Sequence, residues 1–229
     1  VKADLRILRN TERVFERIER AAERSGRKPE DIRVVAVTKE ASLDEIDVLL
    51  GTGRVKEVGE NRVQQLVNRI DFFKEKRLTV HFIGRLQTNK VKKIIGEVDL
   101  IQSADRLNLA EEISKRASSR SIVQDVLVEV NVSGEESKAG VRSQELAQLI
   151  EKILDLPSIN IRGIMTMAPF VAAEDTRPFF RQAFELFDKL KEMLGKDDFD
   201  ILSMGMSNDF EVAIEEGSNM VRIGTAFFE

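Results

Sequence analysis

Apolar positions along the chain follow two alternating rhythms. The opening stretch carries Leu5, Leu8, Phe15, Ile18 and Ala22 at helical spacing, and Ser25-Gly26 closes it, so a long first helix is expected. Short apolar runs then alternate with longer amphipathic segments. The runs are 32–37, 55–59, 79–84, 100–103, 126–130, 159–167, 200–204 and 220–226. Helical patterns follow at 43–50, from Asn61, from about Asn89, from about Arg106, from about Gln144, from Pro178 and, briefly, from Asn208. Runs such as Val34-Val35-Ala36-Val37 are apolar without alternation, as in parallel strands covered on both faces. No Pro/Gly/Ser-rich linker interrupts the series. It predicts one α/β domain over 1–229, a (β/α)8 TIM barrel with an extra N-terminal helix.

Composition narrows the chemistry. Hydrophobic residues make up 42% of the 229 residues, enough for a substantial core. The chain has no cysteine, which excludes disulfides, thiol nucleophiles, iron–sulfur clusters and thiolate zinc sites. His81 is the single histidine, so there is no imidazole cluster for a metal. Trp and Tyr are absent and the net charge is −4, which argues against a nucleic-acid partner. No apolar run nears the roughly 20 residues of a membrane span, and the first residues are charged helix formers, so a cytoplasmic location is expected.

A barrel places its reacting groups at the C-terminal ends of its strands. In order these ends read Thr38-Lys39-Glu40, Gly59-Glu60-Asn61, Gly84-Arg85-Leu86-Gln87, Ser103-Ala104-Asp105, Asn131-Val132-Ser133, Met165-Thr166-Met167, Ser203-Met204-Gly205-Met206-Ser207 and Arg222-Ile223-Gly224-Thr225. Hydroxyls and glycines abound, carboxylates are few, and Lys39 ends a run that must be buried. The ring suits a phosphate-bearing small molecule held near an amine. Lys39 either condenses with a carbonyl or stands as a solvated lysine, alone or paired with Glu60. The loops after strands 7 and 8 are the usual phosphate cradle of this fold, and here they carry Ser203, Gly205, Ser207, Gly224 and Thr225. Ser207 also reads as a helix N-cap and Gly224 as a tight turn.

Arg222 sits between Val221 and Ile223 and points to the opposite face. If that face is the barrel interior, its guanidinium needs an acceptor, either a ligand atom or Glu57 or Glu129. His81 reads as a hydrogen-bonded core residue, and Asn61 as an N-cap at the mouth. The stripe Phe180, Phe184, Phe187 and Leu194 reads as core packing. The basic stretch 85–93 could attract an anion or simply be solvated. Glu57, Glu60 and Glu129 could form a carboxylate pair for glycoside chemistry, but no Trp or Tyr is present for sugar stacking.

Six segments carry a resemblance. Val37-Thr38-Lys39, Gly59-Glu60-Asn61, His81-Phe82-Ile83-Gly84-Arg85-Leu86-Gln87-Thr88-Asn89-Lys90, Met165-Thr166-Met167-Ala168-Pro169, Ser203-Met204-Gly205-Met206-Ser207-Asn208-Asp209 and Val221-Arg222-Ile223-Gly224-Thr225-Ala226 stand in order. Together they resemble the pyridoxal 5′-phosphate homeostasis proteins, the YggS/PROSC group. These share the barrel of the alanine racemase N-terminal domain (fold type III) without its second, β-rich domain. The resemblance implies that Lys39 holds pyridoxal 5′-phosphate (PLP) as an internal imine. It implies that Ser203, Ser207, Gly224 and Thr225 hold the phosphate, that Met204 lies at the cofactor, and that Arg222 lies near the pyridine ring. Asn61 would stand beside the cofactor, with Met165 bordering the ring. Glu40 departs from the threonine of many family members, which touches only the rim.

The resemblance further implies a carrier that buffers and delivers the cofactor without turnover. Its partners would be PLP and the apo forms of PLP-dependent enzymes, with the chain a monomer or weak dimer. Racemases of the related fold use a tyrosine as second base, and this sequence has none. An arginine at the pyridine nitrogen also weakens the ring as an electron sink. The rival readings are a PLP-dependent racemase or decarboxylase with another base, and a cofactor-free Schiff-base aldolase.

Overall fold

A computed structural model describes residues 2–135 and 138–229. Its strands are β1 (Arg33–Val37), β2 (Glu57–Glu60), β3 (Thr79–Phe82), β4 (Leu100–Ala104), β5 (Gln124–Asn131), β6 (Val141–Arg142), β7 (Ile159–Met165), β8 (Ile201–Ser203) and β9 (Met220–Ile223). Eight of them form a parallel barrel in the order β4-β3-β2-β1-β9-β8-β7-β5, which the β4–β5 pairing closes. The two-residue β6 pairs with Val130 and Asn131 at the C-terminal end of β5. The helices are α1 (Lys2–Arg24), α2 (Leu43–Gly51), α3 (Val63–Glu75), α4 (Leu107–Ser119), α5 (Leu146–Leu154), α6 (Arg177–Leu194), α7 (Phe210–Glu215) and α8 (Thr225–Phe228). The expected eight strands and leading helix are therefore present.

Three local departures have physical causes. The segment after β3 is a 3₁₀ helix, Thr88–Lys93, in place of the expected α-helix. Val91 and Ile94 are both buried and three residues apart, a spacing that suits a three-residue turn. The last run ends as a strand at Ile223, because the chain turns at Gly224 into α8. In α1 the buried stripe is Ile7, Thr11, Val14, Ile18 and Ala21, which leaves Leu5 and Leu8 exposed.

The core has two compartments. Val35, Leu100, Leu127, Met165, Ile201 and Met220 form a small cluster inside the barrel. A much larger cluster fills the space between the strands and the surrounding helices. Phe180 and Phe187 of α6 join it as expected, whereas Phe184 stays 40% exposed. Among the described residues, no helix is long and apolar enough to cross a membrane.

Candidate functional site at the barrel mouth

Val35 belongs to the interior cluster, and the period of a strand puts Val37 and Lys39 on that same face. Lys39 is exposed just past the end of β1, and no described residue hydrogen-bonds or ion-pairs its amine. The backbone around it is pinned. Gln65 donates to the Lys39 carbonyl at 2.7 Å, and Arg69 donates to the carbonyls of Thr38 at 2.7 Å and Ala41 at 2.6 Å. Glu60 does not pair with Lys39: its Oε1 accepts from Thr38 Oγ1 at 2.7 Å and from Arg69 at 2.8 Å. Burial raises the Glu60 carboxyl despite those bonds, and its Oε2 has no partner.

Across the mouth, the loops after β8 and β9 meet in one cradle. Ser207 Oγ accepts from the backbone N–H of Gly224 at 3.3 Å and of Ala226 at 3.2 Å. Ser207 does not cap α7. That position is Asp209, whose carboxylate accepts from the Met206 N–H at 2.7 Å, and burial raises its pKa. Gly205 has φ +97°, and a Cβ there would fall 2.6 Å from Ala213 Cβ, so the loop depends on glycine. Gly224 has φ −120°, not the left-handed turn its type suggests. It is needed for proximity, since a Cβ would lie 3.1 Å from the Val37 carbonyl.

Arg222 is 3% exposed and points inward, but it pairs with neither expected glutamate. It donates to Ser203 Oγ at 2.6 Å and to the Thr166 carbonyl at 2.9 Å, while its own N–H goes to the Gly205 carbonyl at 3.0 Å. Burial lowers its pKa to about 10, against the nearby charges of Glu129 and Asp209. Glu57 is held by Arg33 and His81. Glu129 is 3% exposed, and burial with Asp105 nearby raises it to about 7 against the pull of Arg222 and Arg85. Glu57 and Glu60 are thus committed to separate partners.

The remaining candidates divide. Asn61 lies at the mouth but does not cap α3, whose N-cap is Arg62. Its Oδ1 is buried without a partner, and a Cβ on Gly84 would come within 2.0 Å of its carbonyl oxygen. Met165 lies in the interior cluster beneath the mouth. Met204, expected beside the cofactor, has its side chain fully buried in the cluster between barrel and helices. The Ser203 hydroxyl, expected at the phosphate, donates to Gln102 Oε1 at 2.7 Å and supports Arg222 from below. Arg62, Arg85, Lys90 and Lys93 line a 250 Å³ cavity beside Asn61. A larger 710 Å³ cavity, lined by Thr79, Asp99 and Gln124 among others, lies at the opposite ends of the strands. Sequence reasoning passed over Arg69, Gln65 and Gln102, whose roles arise only when distant strands and helices adjoin.

Fold and site define a class: the alanine racemase N-terminal domain family matches residues 10–229. A pyridoxal phosphate homeostasis protein of Aquifex aeolicus is 48% identical over 221 residues, covering 94% of each chain. A crystal structure described as an unknown protein from Bifidobacterium adolescentis is 36% identical with a TM-score of 0.94, covering 99% of this chain and 96% of the other. PipY of Synechococcus elongatus, solved with PLP bound, is 29% identical with a TM-score of 0.80, covering 93% and 100%. The chain belongs to the family of pyridoxal phosphate homeostasis proteins.

Proposed function

We propose that the protein binds pyridoxal 5′-phosphate at the barrel mouth, anchored on Lys39, and acts as a carrier in PLP homeostasis without turnover of its own. One observation carries the reading: an unpartnered lysine amine and a backbone cradle face each other across one mouth. The residues fit the group in a second respect, since Asn61 Oδ1 is a buried acceptor in want of a partner. When bound, PLP supplies an aldehyde that a primary amine captures reversibly. Ser207, Gly224 and Thr225 would hold the phosphate, Arg222 the ring side, and Met165 the floor, with Asn61 alongside. Ser203 would act by orienting Arg222. Names and ligands of the relatives support the same reading, and apo PLP-dependent enzymes are the natural recipients in a cytoplasmic setting.

Near-visible absorbance before and after borohydride tests it. The expected result is a yellow protein, once loaded, that bleaches, with the reduced adduct mapped by mass spectrometry to Lys39. Lys39→Ala removes the adduct, while the cradle keeps weak, non-covalent binding. A protein that stays colourless with added PLP, yet traps a ketose phosphate on Lys39, overturns the reading in favour of an aldolase. Exchange of an amino acid's α-proton for deuterium at a useful rate, followed by NMR, overturns the carrier in favour of a racemase or decarboxylase.

A further inference from the structure

A single chain of hydrogen bonds crosses the barrel interior beneath the mouth. Arg222 Nη1 donates to Ser203 Oγ at 2.6 Å, and Ser203 Oγ donates to Gln102 Oε1 at 2.7 Å. Gln102 Nε2 meets His81 Nδ1 at 2.9 Å, and His81 Nε2 meets Glu57 Oε2 at 2.9 Å. Arg33 closes the far end with two bonds to Glu57, at 2.9 and 2.8 Å. Gln102, His81 and Ser203 are fully buried, whereas Arg33 is 38% exposed at the start of β1.

Donor chemistry gives the chain one direction. Guanidinium only donates, so Ser203 must accept from Arg222 and spend its own proton on Gln102. Gln102 Nε2 also contacts the Met220 sulfur at 3.2 Å, an atom that only accepts, which places the amide NH₂ on the His81 side. His81 Nδ1 is then bare, and its proton sits on Nε2, facing Glu57. Every polar group has a partner of the right kind, the condition under which a buried network fixes one arrangement.

We propose that Gln102 and His81 are positioning residues for Arg222, fixing the guanidinium's orientation toward the bound pyridine ring through Ser203. The assignment rests on the PLP reading above. Two of the arginine's N–H groups are committed, to Ser203 and to the Thr166 carbonyl. The orientation of the remaining donors follows from those two bonds. Loss of Gln102 leaves the Ser203 proton without its acceptor, and the hydroxyl no longer has a reason to face Arg222 squarely.

The single histidine makes the test unambiguous by ¹⁵N NMR. In the unloaded protein, His81 should show a bare Nδ1 and a protonated Nε2; the opposite tautomer overturns the chain's direction. Loading PLP should shift both ring-nitrogen resonances, while inorganic phosphate, which reaches only the cradle, should leave them in place. Gln102→Leu should weaken PLP binding roughly tenfold and displace the near-visible band, with borohydride still trapping the adduct on Lys39. Gln102→Glu keeps an acceptor for Ser203 and should restore band and affinity. A loaded native protein with unshifted His81 resonances, or a Gln102→Leu protein with native band and affinity, overturns the positioning role. Failure of the native protein to form any adduct on Lys39 overturns instead the reading on which it rests.

Discussion

Glu57 and Glu129 look alike in the sequence, both glutamates in barrel strands and both candidate partners for Arg222. The structure drives them apart. Burial alone would raise Glu57, but the hydrogen bonds from His81 and Arg33 and the charge of Arg33 outweigh it and hold the carboxyl well below the ordinary range. Glu129 meets no such donors, and burial leaves it at about 7 against an ordinary 4.5. Below about pH 4 its proton is largely present in both the folded and unfolded chains, at no cost. As pH rises toward 7 the unfolded chain ionises first, so the group's contribution to stability falls and is fully lost above the folded value. Removing the charge should therefore stabilise the unloaded protein at pH 8 by on the order of 3 kcal/mol and change little at pH 4.5. Denaturant titrations of Glu129→Gln at both pH values measure this, and a pH-independent difference would refute it. What separates the two residues was illegible from the chain because it depends on strand register: Gly59 pairs with His81, which sets His81 across from Glu57's strand face. Lys39, Ser207 and Arg222 were legible because each needs only its own strand end to be placed.

At the scale of elements, the run 159–167 shows what periodicity reveals and what it hides. The strand is there as β7, but Gly163 within it has φ +150° and lies where β5 and β7 slip in register, between Val126 and Leu127. A Cβ at Gly163 would lie 1.8 Å from the Ile201 carbonyl on β8. No rotamer relieves a clash with backbone, so Gly163→Ala must push β8 from β7, with Ser203 at its end. A loss of about 3 kcal/mol or more is expected from urea unfolding. Gly51 at the end of α2 is the control, since a Cβ there meets nothing within 4 Å. Gly51→Ala should be neutral or stabilise by up to about 1 kcal/mol. Equal effects at the two sites would mean that the tight approach of β7 to β8 carries no energy. The sequence marks both glycines identically; only the neighbouring strand tells them apart.

Across the whole molecule, the barrel was readable because eight apolar runs joined by right-handed crossovers admit few other arrangements. The link between the ends of the chain was not, since no local pattern encodes it. Helix α1 lies against α2, α7 and α8. Arg17 reaches Glu211 of α7 at 2.7 Å and stacks 4.5 Å over the Phe210 ring. Asn10 donates to the carbonyls of Phe227 at 3.2 Å and Glu229 at 3.1 Å, so the first helix holds the last one. Helix α8 begins at the cradle, with the N–H groups of Gly224 and Ala226 on Ser207. Backbone groups of a four-residue helix have few bonds of their own, so α8 owes its order to what it packs against. Asn10→Ala removes both carbonyl contacts and should cost about 1 kcal/mol of global stability. Its sharper signature is local: hydrogen exchange of the peptide spanning 224–229 should speed up more than that of the β1 and β2 peptides. Binding of inorganic phosphate should weaken with it, because the cradle's donors are then ordered only on binding. Unchanged exchange at 224–229 would show that the barrel alone orders the cradle, and that the leading helix serves the core and not the site.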